Sequence, residues 1–209
     1  MEKEVKTEIL SIIDDRLIKS VSVILTRLIP VVKRISLAID NAERNFRVLK
    51  KNINDMEALK IIGEEMEDIA LLSSLLDQYL NDAIDRFRIT MGTLSDVIEE
   101  ATENKELNKV ALGLHAQKIL MPEAEYLRAV RENAKTLKNY GNKYGIKGIN
   151  YKEEIKEAAK KDQIISRLEA IKAAITSILI DRKRSTVRSL EEIKKQLENF
   201  HGVEELSRN

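Results

Sequence analysis

The side chains best placed to do chemistry are the carboxylates of GEEMEDIALLSSLLDQYLNDAIDRF, residues 63–87. On a helix, Glu64 and Asp68 lie one turn apart, and Asp82 and Asp85 occupy neighbouring positions. Hard cations such as calcium or magnesium need oxygen ligands clustered in this way. A di-iron bundle would need a pair of Glu-x-x-His motifs, which the chain does not hold. A solvated acidic face explains the same residues without a metal. No metal or cofactor is therefore expected, and Glu64, Asp68, Asp82 and Asp85 are the candidate ligands should one bind.

A second group is basic: Arg182, Lys183, Arg184 and Arg188 could contact phosphates of a lipid or a nucleic acid. No aromatic residue is interleaved with them, so bases have no stacking platform. With a net charge of only +1, nucleic acid is not expected as a partner, whereas an anionic membrane surface stays open. A third group is KNYGNKYGIKGINY, residues 138–151, with three of the chain's seven glycines. Gly141, Gly145 and Gly148 spell G-x-x-x-G-x-x-G, which is neither the dinucleotide fingerprint nor the P-loop. Both of those follow a strand, and the segment before this one reads as helix. The glycines are expected to act as a hinge by freeing the backbone, with Tyr140, Tyr144 and Tyr151 packing the corner. There is no cysteine, which excludes disulfides, zinc–thiolate sites and thiol nucleophiles. His115 has no nucleophile at a recognisable spacing. No catalytic constellation emerges, and the expectation is a protein that is not an enzyme.

The elements that position these groups are helices. The 209 residues are 43% hydrophobic and 34% charged with two prolines, a balance typical of long helices. Apolar residues recur every three or four positions from Ile13 through Leu28, Ile35, Ala42, Phe46 and Ile53, and again from Leu59 through Met66, Leu76, Phe87 and Ile98. Asn52–Asp55 offers a turn with capping residues, and Thr102–Glu106 a second polar break. Pro30 and Pro122 predict kinks or restarts. A last helix is expected from Tyr151 to Phe200, with a heptad seam at Ile164, Leu168, Ile171, Ile175 and Ile178. The seam resumes at Leu190, Ile193 and Leu197, one residue out of register across Asp181–Thr186. Exposed pairs such as Glu43–Arg47 and Glu157–Lys161 fit solvated faces. The fold class is all-α: an elongated antiparallel bundle or coiled coil of four or more long helices. Residues 1–140 would form the kinked bundle core, 141–150 the hinge, and 151–209 a long coiled-coil helix with a short tail.

Charge is unevenly spread. Residues 54–106 carry 14 acidic and 4 basic side chains, a net −10, between segments of net +4 and +7. The longest uncharged runs, such as residues 69–76 and 173–180, are eight residues, against about 20 for a bilayer span. The first ten residues, MEKEVKTEIL, have no hydrophobic signal region, so a cytoplasmic protein is expected. Absence of cysteine and tryptophan, with abundant Ile, Lys and Glu, fits a thermophilic source.

Two resemblances follow from these features. The E-x-x-x-D spacing of Glu64 and Asp68 is similar to that in the metal-binding bundles of phosphate-uptake regulators. This implies a carboxylate-metal-binding regulatory bundle. The small helical chain with separated basic and acidic regions resembles, in architecture, archaeal ESCRT-III-like proteins. That likeness implies peripheral membrane remodelling on anionic lipid, with residues 5–39 able to lie on the surface as an amphipathic helix. The leading expectation is a non-enzymatic interaction or assembly protein. It would act through helix-to-helix contact with itself, as a homo-oligomer, or with a protein partner in a larger complex.

Overall fold

An apolar residue at every third or fourth position makes a stripe that only a helix can bury on one side, and the described elements are all helices. A computed structural model describes residues 2–161, 163–180 and 186–199, with side chains for 7–14, 17–161, 163–177 and 191–199. In order come α1 (Glu2–Ser11), a π-helical segment (Ile12–Ile18), α2 (Lys19–Lys51), α3 (Met56–Glu103), α4 (Leu107–Tyr144), α5 (Tyr151–Lys160), α6 (Gln163–Ile180) and α7 (Thr186–Glu198). There is no strand among the described residues. The three long helices α2, α3 and α4 pack closely, and the fold is an all-α helical bundle.

The helix ends follow local chemistry. Asp55 opens α3, its Oδ1 accepting the Ala58 N–H at 3.0 Å, which satisfies one of the four donors a helix start leaves unpaired. At the other end of α3, Glu106 N–H bonds Ala101 O at 2.8 Å and Lys105 N–H bonds Thr102 O at 3.1 Å. That pair of bonds is a Schellman motif, and it puts Lys105 in the left-handed region at φ 58°. The backbone stays helical at Ser11 and Lys19 on both sides of the π-helical segment, so the chain is one helix from Glu2 to Lys51. Pro30 and Pro122 lie inside α2 and α4, and neither begins a new helix. Both are exposed, as are Thr26 and Lys118, whose carbonyls lose a donor to the proline ring nitrogen.

The expected single helix from Tyr151 to Phe200 is broken at Lys161, and its described parts are α5, α6 and α7. α5 closes with Lys161 N–H on Ala158 O at 3.2 Å, and α6 starts two residues later. Apolar spacing runs on past this turn, from Ile155 and Ala159 to Ile164 and Leu168, so periodicity alone does not reveal it. The register slip at Asp181–Thr186 falls between α6 and α7. Of the seam, Ile164, Leu168, Ile171, Ile175, Ile193 and Leu197 are buried; the side chains of Ile178 and Leu190 lie outside the described residues.

Contacts gather the chain into two compact units, with the divisions inside α2, α3 and α4. Residues 1–26, 81–128 and 181–209 form the first. Here α7 packs on α1 and on the π-helical segment, and Lys194 pairs with Asp14 at 2.9 Å. Lys109 on α4 reaches Glu8 on α1 at 2.8 Å. Phe87 is the largest fully buried side chain of this unit. Residues 27–80 and 129–180 form the second, with Phe46, Ile62, Met66, Leu137 and Leu168 inside. Truncating either phenylalanine to alanine would cost about 3–5 kcal/mol.

Candidate functional site

In the second unit the glycine-rich stretch forms a corner whose chemistry is contact with α3. Gly141 lies within α4, and a Cβ built on it would come 2.5 Å from Met66 O and 2.6 Å from Ala70 N. A Cβ on Gly145 would meet Glu67 Cα at 3.3 Å, and one on Gly63 would meet the Tyr151 ring at 2.9 Å. Ile146 N–H bonds Gly63 O at 3.2 Å, tying the turn to α3. None of the described glycines has a left-handed φ. Gly141 and Gly145 therefore permit the close approach of two backbones. The tyrosines do pack the corner: Tyr144 is buried, its ring 6.2 Å from that of Tyr140, and burial pushes its phenol pKa up. Lys143 pairs with Glu154 at 3.0 Å and Lys147 with Glu67.

A groove opens beside this contact. It has a volume of about 410 Å³ and is lined by Ala70, Ser74, Gly141 and Gly145 together with Glu67, Asp68, Leu71 and Lys147. Leu71 and Leu75, one turn apart on α3, are 64% and 39% exposed, and Ile149 in the turn beyond Gly148 is fully exposed. Glu64 and Asp68 continue the same solvent face of α3 toward its N-terminus.

In the first unit, α4 carries another exposed apolar stripe. Leu107, Leu114 and Met121, spaced by seven, are 70%, 49% and 51% exposed. They span about 21 Å of one helix face at 1.5 Å per residue. Lys118 and Glu125, both exposed, share that face. Single exposed leucines are ordinary, but three in heptad register repeat the pattern of a coiled-coil seam.

The charged groups of the second unit centre on Glu43. Asp40 pairs with Lys172, and Arg47 pairs with Glu169 at 3.2 Å, linking α2 to α6. Arg47 thus reaches across to α6 instead of to Glu43 as its i,i+4 spacing suggests. Glu157 likewise bonds Lys160 at 2.7 Å and not Lys161. Glu43 lies between the two α2–α6 pairs, only 8% exposed, and its Oε1 has no hydrogen-bond partner. Burial, with Glu169 and Asp40 nearby, pushes its carboxyl above the usual glutamate range.

The sequence-derived candidates scatter. Glu64 pairs with Lys60 at 3.6 Å, and Asp68 is exposed at the groove. Asp82 is exposed, while Asp85 bonds Asn81 at 3.0 Å and Arg88 at 3.3 Å. No group of three or more metal-ligating side chains converges among the described residues. Arg182, Lys183 and Arg184 lie outside the described residues, as does the side chain of Arg188 on α7. No described helix is long and apolar enough to cross a membrane. Sequence reasoning missed Leu71, Leu75, Leu107, Leu114 and Met121. Their signal was present as apolar positions outside the buried stripe.

The fold and these surfaces define an all-helical bundle protein with exposed apolar helix faces. No family profile, no curated protein and no solved structure shows a significant match to the chain.

Proposed function

We propose that the protein is a non-enzymatic helical interaction protein, working by helix-to-helix contact with copies of itself or within a larger complex. The observation that carries this reading is the exposed heptad stripe of Leu107, Leu114 and Met121 on α4. Such a stripe suits a second copy. In an antiparallel pair centred on Leu114, Leu107 would oppose Met121 of the other helix. The charges on that face, Lys118 and Glu125, are of both signs and set up no repulsive field. Burying these side chains against a partner is favourable at about 25 cal/mol per Å² of apolar surface.

The experiment is size-exclusion chromatography with light scattering over a range of concentrations, together with recovery of partners from host lysate, for the wild type and for Leu114→Lys/Met121→Lys. The wild type is expected to self-associate or to recover a partner, and the double variant to lose that behaviour. A strictly monomeric wild type that recovers nothing, or a variant that associates equally well, contradicts the reading.

A further inference from the structure

A second apolar face, on α3 in the other compact unit, differs from the α4 stripe in its electrostatics. Residues 56–80 of α3 hold six acidic side chains and one basic one. On the solvent side, Glu64, Glu67, Asp68, Leu71, Leu75 and Gln78 fall within one broad stripe of the helix. Glu64 and Glu67 have lysine partners, Lys60 and Lys147, but Asp68 has no ion-pair partner among the described residues. Beside this stripe runs the groove lined by Ala70, Gly141 and Gly145. Gly141 and Gly145 bring α4 against the α3 backbone at this groove, and both line it. Arg131 and Asp77, paired at 2.7 Å, join α4 to α3 farther along.

We propose that the groove and the Leu71–Leu75 face bind a basic amphipathic helix of another protein. The partner's apolar side chains, spaced i, i+4, would cover Leu71 and Leu75 and enter the groove, and a lysine or arginine would meet Asp68. Helix-in-groove recognition uses this division between apolar anchors and flanking charge. Charge complementarity selects the occupant. The α3 of a second copy would set its own Asp68 against this one, and like charges across an interface oppose binding. An anionic lipid surface is disfavoured for the same reason. The proposal uses residues that the α4 stripe does not, so either can fail alone.

The test uses the full chain and two fluorescein-labelled, alanine-based helical peptides. One has leucines at i, i+4 and i+7 with lysines beside them; its twin has glutamates in place of the lysines. Anisotropy is expected to show binding of the lysine peptide in the micromolar range, weakened by added salt, and none of the twin. Asp68→Lys and Leu71→Ser/Leu75→Ser should each weaken binding by about tenfold or more, equivalent to about 1.4 kcal/mol. Asp96→Lys/Glu99→Lys, which reverses exposed carboxylates elsewhere on α3, should not. The altered leucines are exposed, and a circular dichroism melt verifies that their variants fold. Absence of binding, equal binding of the twin, or equal loss in the Asp96/Glu99 control overturns the proposal. Self-association of the wild type that Leu71→Ser/Leu75→Ser abolishes also overturns it, because a second copy is then the occupant.

Discussion

Gly141 and Ala70 bring two long helices into backbone contact: a Cβ on Gly141 would stand 2.7 Å from the Ala70 Cβ and 2.5 Å from Met66 O. Such distances leave no room for even a methyl group, and the obstacle is backbone, which cannot swing aside. Gly141→Ala should therefore destabilise the fold by about 1–3 kcal/mol despite alanine's better helix propensity. Gly92 on α3 is the control, since a Cβ there meets nothing within 4 Å. Gly92→Ala should stabilise by about 1 kcal/mol. Urea denaturation of both variants reads opposite signs if close packing is the cause.

Lys105 holds the left-handed position of a Schellman motif at φ 58°, where most helices place glycine. A side chain with a Cβ is strained there. Lys105→Gly is expected to raise stability by up to about 1 kcal/mol, and Lys105→Val to lower it, in thermal unfolding at constant pH.

Pro122 sits exposed within α4, where it removes one backbone hydrogen bond and crowds the preceding turn. Pro122→Ala should stabilise the chain by about 1–3 kcal/mol, as measured by the shift in denaturation midpoint. A loss of stability would mean that the proline ring itself is needed for packing.

Glu43 predicts a pH dependence of defined sign. Its folded pKa is raised, so the native state holds a proton that the unfolded chain has lost. Native proton binding in excess makes stability fall as pH rises. The contribution is complete below the ordinary value of 4.5 and disappears as pH climbs through the folded value. Above the folded value the buried carboxylate is a cost, and Glu43→Gln should there gain about 1 kcal/mol. The difference in stability between wild type and variant, followed from neutral to acid pH, should shrink. A constant difference would place Glu43 in a solvated setting.

Much of the architecture was legible because burial follows spacing. Leu59, Ile62, Met66, Ile69, Leu72 and Leu76 recur at three or four, Ala83, Phe87 and Leu94 continue the stripe, and all are buried. The turns at Asn52–Asp55 and Thr102–Glu106 were legible from capping chemistry. The end of α5 was not, because a helix that stops and restarts with its apolar side in place leaves the period unchanged. The role of Gly141 was hidden for a related reason: glycine serves both left-handed φ and close approach, and the sequence does not say whether a neighbouring backbone lies against it. The exposed faces were obscured by the same logic. Leu71 lies beside the buried Leu72, and Leu75 beside the buried Leu76, so in one dimension each pair reads as a thicker stripe. Only the neighbours of each helix decide which of two adjacent leucines is covered.

The most direct measurement is photo-crosslinking in the native cells with benzoylphenylalanine in place of Leu114, and in place of Glu99 as a control on an exposed polar position. If helix docking is the function, position 114 crosslinks efficiently to a second copy or to one partner protein, and position 99 does not. No crosslink from position 114, or equal and diffuse crosslinking from both, would contradict the central claim that the exposed α4 stripe is where this protein meets another helix.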